Sequence, residues 1–194
     1  MARPKQFDPD TTLDEAMRLF WEQGYEATSV QDLVERTGVH KRSMYDTFGD
    51  KHALFMKALS HYGEVQDALM QDAAAAGTSS ATETIRAVLE TSVPDAASER
   101  PRGCLFVNTA TELGAQDPEA ARRVKQHVKT AERMLHQLVE RGQRDGDITT
   151  RLEPATLAKV LNDVWLGLRV QSRAGIATAQ LRATIDAAMA MLAP

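Results

Sequence analysis

The stretch Thr28–Phe48, TSVQDLVERTGVHKRSMYDTF, predicts two short helices joined by a turn that contains a glycine. Thr28 or Ser29 can cap the first helix, and Ser29 with Asp32 matches the capping box, in which two side chains and two backbone N–H groups bond reciprocally. Gly38 can adopt the left-handed backbone conformation that ends a helix. Apolar residues recur at helical spacing on both sides of the turn: Val30, Leu33, Val34, Met44 and Phe48. This arrangement matches the helix-turn-helix motif, whose second helix enters the DNA major groove.

A longer pattern, T-S-V-x-x-L-x-x-x-x-G-V-x-K-x-S-M-Y-x-x-F-x-x-K-x-A-L-F, runs from Thr28 to Phe55. It resembles the DNA-binding head of TetR/AcrR-type transcriptional regulators. The pattern is more specific than a bare helix-turn-helix because four further residues follow the turn at fixed offsets. These residues are Tyr45, Phe48, Lys51 and Leu54. The resemblance covers roughly the first quarter of the chain, and the remainder is similar in length, in helical character and in the segment PRGCLFVNTATEL at residues 101–113.

The resemblance implies a set of DNA contacts on the second helix and around it. The backbone at Thr28 and the side chains of Tyr45 and Lys51 are expected to hold phosphates, which positions the protein on the duplex. Ser29 and His40, just before the two helices, are expected to join this interface. The remaining polar residues of the second helix are expected to face base edges, where lysine or arginine with guanine is the commonest specific contact. They are Lys41, Arg42, Ser43 and Thr47.

Two residues of this region depart from the usual pattern of the family. His40 is a poor helix cap at a place where a small polar residue is common. Asp46 brings a negative charge where an aromatic residue or a histidine is frequent, and it either accepts from cytosine N4 or points away from the DNA. Outside the surrounding pattern, Lys41 and Arg42 would be read as an ordinary solvated helix end.

The charge balance gives no overall support for nucleic-acid binding. The chain carries a formal net charge of −4, and residues 1–50 contain six Lys or Arg against ten Asp or Glu. Any attraction to DNA must therefore be local, which is feasible because phosphate contacts act within a Debye length of about 8–10 Å. The local cations are Arg3 and Lys5 near the N-terminus, Lys41 and Arg42 in the second helix, and Lys51 after it.

Helical periodicity extends along the rest of the chain and predicts an all-α protein of about nine helices. Residues 1–9 are expected to form a disordered arm, and Thr12 with Glu15 predicts the start of the first helix. The alternation typical of strands is absent from the sequence. The expected division is a helix-turn-helix DNA-binding domain at residues 1–50 and a helical ligand-binding and dimerisation domain at residues 51–194.

By resemblance, a small-molecule inducer enters a pocket among the central helices of the larger domain. The candidates, taken from their positions along the helices, are Cys104, Val107, Asn108, Thr111, Met134 and Trp165. Cys104 allows a second hypothesis, because some TetR-like regulators sense electrophiles or oxidants through a cysteine. A helix N-terminus and the nearby Arg102 would stabilise its thiolate. Burial among apolar neighbours such as Leu105 would instead make it an inert part of the core.

Small residues on the last two predicted helices allow close helix packing. They are Gly167, Ala174, Ala183, Ala187, Ala188 and Ala190. Either they form an internal core, or they make a face that is buried only against a second copy of the chain. The resemblance implies the second alternative, a homodimer joined by a four-helix interface. Dimerisation also agrees with DNA reading, because one short helix-turn-helix contacts too few base pairs for useful specificity.

Other functional classes leave no motif in the sequence. The patterns G-x-S-x-G, G-x-G-x-x-G and the Walker loop are absent, so neither an enzyme nor a cofactor is expected. The single cysteine excludes an internal disulfide and fits a cytoplasmic location. The five histidines lack the spacing of metal ligands and are interpreted as surface or interface residues. They are His40, His52, His61, His127 and His136.

The leading hypothesis is therefore a ligand-responsive repressor that binds a palindromic operator as a homodimer. A helical protein-interaction adaptor and a small all-α enzyme are the alternatives, but an adaptor leaves the cations and the tyrosine of the second helix unexplained. The basic face Arg122–Arg133 is interpreted as the solvated side of an amphipathic helix. No apolar run approaches the ~20 residues that a transmembrane helix requires, so no membrane partner is expected.

Overall fold

The computed structural model describes residues 7–75, 80–94 and 102–194, and in these ranges the chain forms nine α-helices and no strand. The all-α prediction is confirmed. The helices are α1 (Pro9–Gln23), α2 (Val30–Thr37), α3 (Lys41–Phe48), α4 (Lys51–Ala75), α5 (Ala81–Glu90), α6 (Leu105–Leu113), α7 (Pro118–Asp145), α8 (Pro154–Arg173) and α9 (Thr178–Ala190). The predicted arm cations Arg3 and Lys5 lie outside the described residues.

The first helix begins earlier than the sequence patterns indicated. Asp8 is the N-cap of α1, its carboxylate accepts the N–H of Asp10 at 3.1 Å, and Pro9 follows it. Thr12 is buried inside the helix, and its hydroxyl donates to the backbone oxygen of Asp8 at 2.8 Å. The expected capping box of Thr12 and Glu15 is therefore wrong, because Asp8 and Pro9 supply a favourable start one turn earlier. The expected disordered arm accordingly does not extend to residue 9.

Other helix ends agree with the local sequence signals. The N–H of Ser29 donates to the Asp32 carboxylate at 2.7 Å, and the N–H of Asp32 donates to the Ser29 hydroxyl at 3.1 Å, which is the predicted capping box. Gly38 ends α2 with a φ of 68°, a left-handed conformation that favours glycine. Asp117 caps α7, and Gly146 ends that helix in the same left-handed region.

Helices α1–α3, which we call the head, share an apolar core with the first turns of α4. Phe20, Leu33 and Met44 are completely buried. The Phe20 ring packs edge-on against Phe55 of α4, with 5.1 Å between the ring centroids. The inner side of α3 is thus packed against the rest of the head through Met44 and Phe48, which orients its other side outward.

Helices α4–α9, which we call the body, contain a second apolar core. This core lies among α5, α7, α8 and α9 and includes the buried residues Leu135, Trp165 and Ile185. Helix α6 contributes mainly to the first core, because Cys104 and Phe106 belong to the same cluster of buried residues as the head. A shift of α6 therefore acts on the packing of the head.

The outer side of α8 and α9 leaves apolar surface uncovered in the single chain. Val170 is 51% exposed and Met191 is 59% exposed, and Gly167 faces open space. Four of the predicted small residues are exposed: Ala174, Ala183, Ala187 and Ala190. Ala188 is buried in the second core, so the internal-core alternative holds for that residue.

Candidate functional site

The outward face of α3 is the candidate nucleic-acid interface. Lys41 and Arg42 are exposed, and 94% of the Arg42 side chain is accessible. The Lys41 Nζ lies 5.6 Å from the centroid of the Tyr45 ring, which places its charge beside the phenol. Asp46 is also exposed, and its carboxylate lies 4.0 Å from the Arg42 Nε. A solvent-exposed contact of this length contributes little, so Arg42 can exchange it for a base edge.

The start of α2 uses part of its hydrogen-bonding capacity within the head. Thr28 is completely buried, its N–H donates to the backbone oxygen of Tyr25 at 3.3 Å, and its hydroxyl donates to that of Gly24 at 2.6 Å. Ser29 is exposed, but the capping box engages its N–H. The first N–H groups of a helix have no partner within that helix. The first two residues of α2 are therefore better placed than Thr28 to donate to a phosphate.

Lys51 begins α4 just after the end of α3. Its Nζ lies 4.3 Å from the centroid of the Tyr25 ring, a cation–π contact that holds the charge at the surface of the head. Ser43 and Thr47 are partly exposed on α3. His40 is the exposed N-cap of α3 and makes no capping hydrogen bond through its side chain, as its residue type predicted.

Two other cations of the head are engaged in ion pairs. The Arg18 Nε lies 2.8 Å from the Asp14 carboxylate. Arg36 lies 2.8 Å from the Glu15 carboxylate and 3.2 Å from that of Glu22. In the part of the head that the structure describes, the positive charge available to a phosphate or a base is therefore concentrated on α3 and at the start of α4.

Several side chains of the body bond to the head, and two of them, Glu112 and Arg173, were indicated by no sequence motif. Glu112 on α6 accepts the N–H of Tyr25 at 3.0 Å and the N–H of Glu26 at 2.7 Å. Arg173, at the end of α8, donates to the backbone oxygen of Trp21 at 3.2 Å. These partners are 86 to 152 residues apart in the chain, so only the folded arrangement brings them together. Movements of α6 or α8 therefore act directly on the head.

The six predicted ligand-binding residues are distributed over more than one part of the body. Val107, Asn108 and Thr111 line a groove of about 430 Å³ between the end of α1, α6 and α8. Cys104 is the N-cap of α6 and is 1% exposed. The other two predicted residues lie on α7 and α8, at the second core.

The remaining two predicted ligand-binding residues are Met134 on α7 and Trp165 on α8. Met134 is partly buried against the second core, and Trp165 is inside it. The indole N–H of Trp165 donates to the Thr91 hydroxyl at 3.2 Å. The guanidinium carbon of Arg169 lies 4.1 Å from the centroid of the Trp165 ring. Sequence reasoning missed Arg169, because an arginine on an amphipathic helix is most often exposed.

His127 on α7 is partly buried, and its Nε2 is shielded from solvent, so it is not a plainly exposed surface residue. Its ring stacks on Phe106 with 3.9 Å between the centroids. Burial, and then the charge of Arg169, lower the pKa of His127 to about 4, so the imidazole is neutral at neutral pH. The helical spacing with Ala131 and Leu135 would have placed His127 on the inner side of α7.

The described ranges contain no candidate metal site and no candidate membrane span. No group of three or more His, Cys, Asp or Glu residues in them could hold a metal ion. None of the helices in these ranges has the combination of length and apolarity that crossing a bilayer demands.

Comparisons with known proteins agree with this geometry. Residues 13–58 match the family model of bacterial regulatory proteins of the tetR family, and residues 81–188 match that of the tetracyclin repressor-like C-terminal domain. The chain is 33% identical to the HTH-type transcriptional repressor ComR of Escherichia coli (strain K12), over 92% of this chain and 86% of ComR. It is 32% identical to the uncharacterized HTH-type transcriptional regulator YezE of Bacillus subtilis (strain 168), over 99% of this chain and all of YezE.

Solved structures show the same fold. A cysteine-substituted form of the TetR family regulator CifR, complexed with a 26-base-pair operator, superposes with a TM-score of 0.84 at 31% identity, over 98% of this chain and 100% of that one. The reduced form of NemR from E. coli gives a TM-score of 0.83 at 19% identity, over 95% and 96% of the two chains, and supports the fold alone. Since one family model covers more than half of the chain and relatives match nearly its full length, the chain belongs to the TetR family of bacterial transcriptional regulators.

Proposed function

We propose that this protein is a repressor that binds a near-palindromic operator as a homodimer and leaves it when a small-molecule inducer binds the body. The exposed cationic face of α3 carries the proposal. Lys41 and Arg42 project from a helix whose opposite side is buried through Met44 and Phe48. A helix presented in this way fits the major groove. CifR, which has the same fold and 31% identity, was solved on its operator.

The proposed contacts divide into base reading and phosphate binding. Base edges are read by Lys41, Arg42, Ser43 and Thr47, with His40 next to them. Phosphates are held by Tyr45, by Lys51 and by the start of α2 beside Thr28 and Ser29. The exposure of Lys41 and Arg42 supports the first assignment, and the position of Lys51 at the rim of the head supports the second.

We assign DNA binding to residues 1–50 and ligand binding and dimerisation to residues 51–194. The uncovered surface of α8 and α9 supports the dimer, because a second copy would bury Val170 and Met191, which are both more than half exposed. Two heads whose α3 helices lie about 34–36 Å apart would then read two half-sites in successive major grooves.

Release from DNA requires a conformation in which the two heads no longer match this spacing. An inducer favours that conformation only when it binds it more tightly than the DNA-bound one. Glu112 and Arg173 support a link between ligand and head, because they join α6 and α8 to the backbone of the head. The groove lined by Val107, Asn108 and Thr111 lies beside this link.

Binding rather than catalysis is the activity that we propose, and it needs no cofactor. The membership of a family of transcriptional regulators supports this choice over an enzyme or a protein-interaction adaptor. We also propose a cytoplasmic location, where a bacterial repressor meets its operator.

Selection of sequences from a random DNA library, followed by gel shifts, tests the proposed function. The wild type is expected to enrich a near-palindromic site and to bind it with a Kd of about 10⁻⁸–10⁻¹¹ M at physiological salt. The double variant Lys41→Ala/Arg42→Ala is expected to lose the enrichment. Lys125→Ala, on the exposed side of α7, serves as the matched control. A folded wild type that enriches no sequence would contradict the proposal.

A further inference from the structure

Arg169 on α8 is buried in the body without a carboxylate partner among the residues that the structure describes. Its exposed fraction is only 3%. The guanidinium donates to three neutral oxygens, namely the Tyr62 hydroxyl at 3.3 Å, the Gln66 side-chain carbonyl at 3.3 Å and the Thr91 hydroxyl at 3.4 Å. Charge-assisted bonds from a guanidinium to an anion are shorter, about 2.7–2.9 Å. Because a lone buried charge is costly, this arrangement calls for an anion.

Unsatisfied polar atoms surround this arginine. The Arg169 Nε, the His127 Nε2 and the Trp21 Nε1 are buried and have no hydrogen-bond partner among the residues that the structure describes. The Trp21 ring lies 5.0 Å from that of Tyr62, and the His127 ring lies 6.3 Å from that of Trp165, so both belong to the same cluster. Arginine and tryptophan nitrogens only donate, and buried donors without acceptors are rare in native proteins. The cluster therefore lacks an acceptor as well as a negative charge.

The neighbouring ionisable groups do not supply that charge. Burial, and then the adjacent Cys104, raise the pKa of the Tyr62 hydroxyl, so it remains neutral. Burial keeps His127 neutral as well, since its pKa is lowered to about 4. The Trp165 ring, 4.1 Å from the Arg169 guanidinium, offsets part of the desolvation through a cation–π contact. Among the residues that the structure describes, no side chain supplies Arg169 with a full negative charge, and a bound anion would supply it.

A cavity next to the cluster offers a route for such a molecule. It measures about 180 Å³ and is lined by residues of α4, α6 and α7, among them Gly63, Phe106 and His127. Its charged lining residues are Glu64, Asp67 and Arg123. The absence of a side chain at Gly63 leaves room for Phe106, because a Cβ there would come within 3.3 Å of its ring. His127 borders both this cavity and Trp165. A displacement of the stacked rings of Phe106 and His127 would therefore join the cavity to Arg169.

We propose that the inducer is a small organic anion whose carboxylate, or a comparable anionic group, pairs with Arg169 and whose apolar part lies against the aromatic rings around it. This inference rests on the proposed function, because it names the chemistry of the inducer. The bound anion supplies the counter-charge and accepts a hydrogen bond from the Arg169 Nε. Its effect reaches the head along α8, where Arg173 follows Arg169 by one turn and bonds to Trp21.

Isothermal titration calorimetry of the full chain without DNA tests the anion site. The probes are benzoate, phenylphosphonate and benzenesulfonate, each compared with neutral benzamide at equal ionic strength. At least one of the anions is expected to bind the wild type about tenfold or more tightly than benzamide, as a charge-assisted contact implies. Arg169→Met is expected to lose this preference. Arg151→Met, which removes an exposed arginine, is expected to retain it.

Arg169→Lys keeps a charge at the site and decides the case if Arg169→Met does not fold. It is expected to retain a preference for the anion over benzamide. The inference is overturned if none of the three anions binds the wild type better than benzamide, or if folded Arg169→Met keeps the preference. Gel shifts on the selected operator separate this result from the proposed function. A protein that binds the anion through Arg169 but binds no operator contradicts the proposed function and leaves the anion site standing.

Discussion

The carboxylate of Glu112 accepts the backbone N–H of Glu26 at 2.7 Å, so the last turn of α6 is bonded to the loop that precedes the helix-turn-helix. The same carboxylate also accepts the N–H of Tyr25 at 3.0 Å. One side chain of the body therefore fixes two peptide groups of the head. A charged acceptor makes such bonds stronger than those of a neutral one.

Replacing Glu112 tests whether these bonds couple the body to the head. Glu112→Ala is expected to lower the free energy of unfolding by about 1–3 kcal/mol, because one partly buried and one exposed N–H group lose a charged acceptor. It is also expected to bind the operator but to respond more weakly to the inducer. Urea unfolding and gel shifts with increasing inducer measure the two effects. Glu153→Ala, at an exposed N-cap whose side chain makes no cap bond, is the control. An unchanged inducer response in Glu112→Ala would refute the coupling.

Mutations of base-reading residues and of phosphate-binding residues are expected to differ in their effects on operator and random DNA. Lys41→Ala or Arg42→Ala should cost about 1–3 kcal/mol on the operator and little on random DNA, if each makes a bidentate base contact. Lys51→Ala should weaken binding to both DNAs and reduce the salt dependence by about one phosphate contact. Fluorescence anisotropy over a series of salt concentrations measures these quantities. Equal losses on operator and random DNA in all three variants would argue against this division.

The dimer is expected to depend on the uncovered surface of α9. Ala187 is exposed and lies one turn before Met191, which is 59% exposed. The variant Ala187→Glu should place a charge in the interface and yield monomers with weak operator binding, whereas the wild type should be a dimer. Light scattering after size exclusion measures the mass. Ala115→Glu, at an exposed position between α6 and α7, is the control and should stay dimeric. A monomeric wild type at micromolar concentration would exclude the proposed interface.

The free energy of unfolding is expected to decrease as the pH is lowered, because His127 becomes protonated more readily in the unfolded chain. Its pKa is about 4 in the folded chain and near 6.5 when unfolded, so the unfolded state binds more protons between these values. The contribution is fully present above about pH 6.5 and is lost as the pH falls toward 4, up to about 3 kcal/mol. Urea unfolding between these values should show a smaller pH dependence in His127→Gln than in the wild type. His40→Gln, at an exposed histidine, should behave like the wild type, and equal slopes in all three proteins would contradict the assignment.

Cys104 is expected to react slowly in the native protein. Its 1% exposure favours the apolar-packing hypothesis over the sensor hypothesis, because thiol reactions need an accessible thiolate. N-ethylmaleimide should modify the folded chain at least about 100-fold more slowly than the urea-unfolded chain, in line with the burial of a structural cysteine. Mass spectrometry over time measures both rates. Fast modification of the folded chain, together with release of operator DNA, would restore the sensor hypothesis.

Local signals were sufficient for most of the fold. The capping box of Ser29 and Asp32 and the left-handed Gly38 depend on neighbours in the sequence, and both are confirmed. The start of α1 was missed because two good caps compete within one turn, and sequence alone does not rank them. In the site, Lys41 and Arg42 were recognised from a motif and are exposed as expected.

The residues that sequence analysis missed owe their roles to distant partners. Arg169 bonds to Tyr62 and Gln66, which lie 107 and 103 residues away, and nothing in its own neighbourhood distinguishes it from a surface arginine. Glu112 bonds to backbone groups, which carry no sequence signature. Such contacts are determined by tertiary packing, and helical periodicity in the sequence does not describe how the helices pack.

The ion pairs that engage Arg18 and Arg36 have a consequence for the search along the chromosome. In the described part of the head, few cations are free of ion pairs, so this part would release few counterions from random DNA and would contribute little non-specific affinity. The protein should then slide over short distances and dissociate often, rather than remain on long stretches of unrelated sequence. A small number of copies would stay mostly unbound until they meet the operator, and their occupancy of it would depend little on the amount of competing DNA.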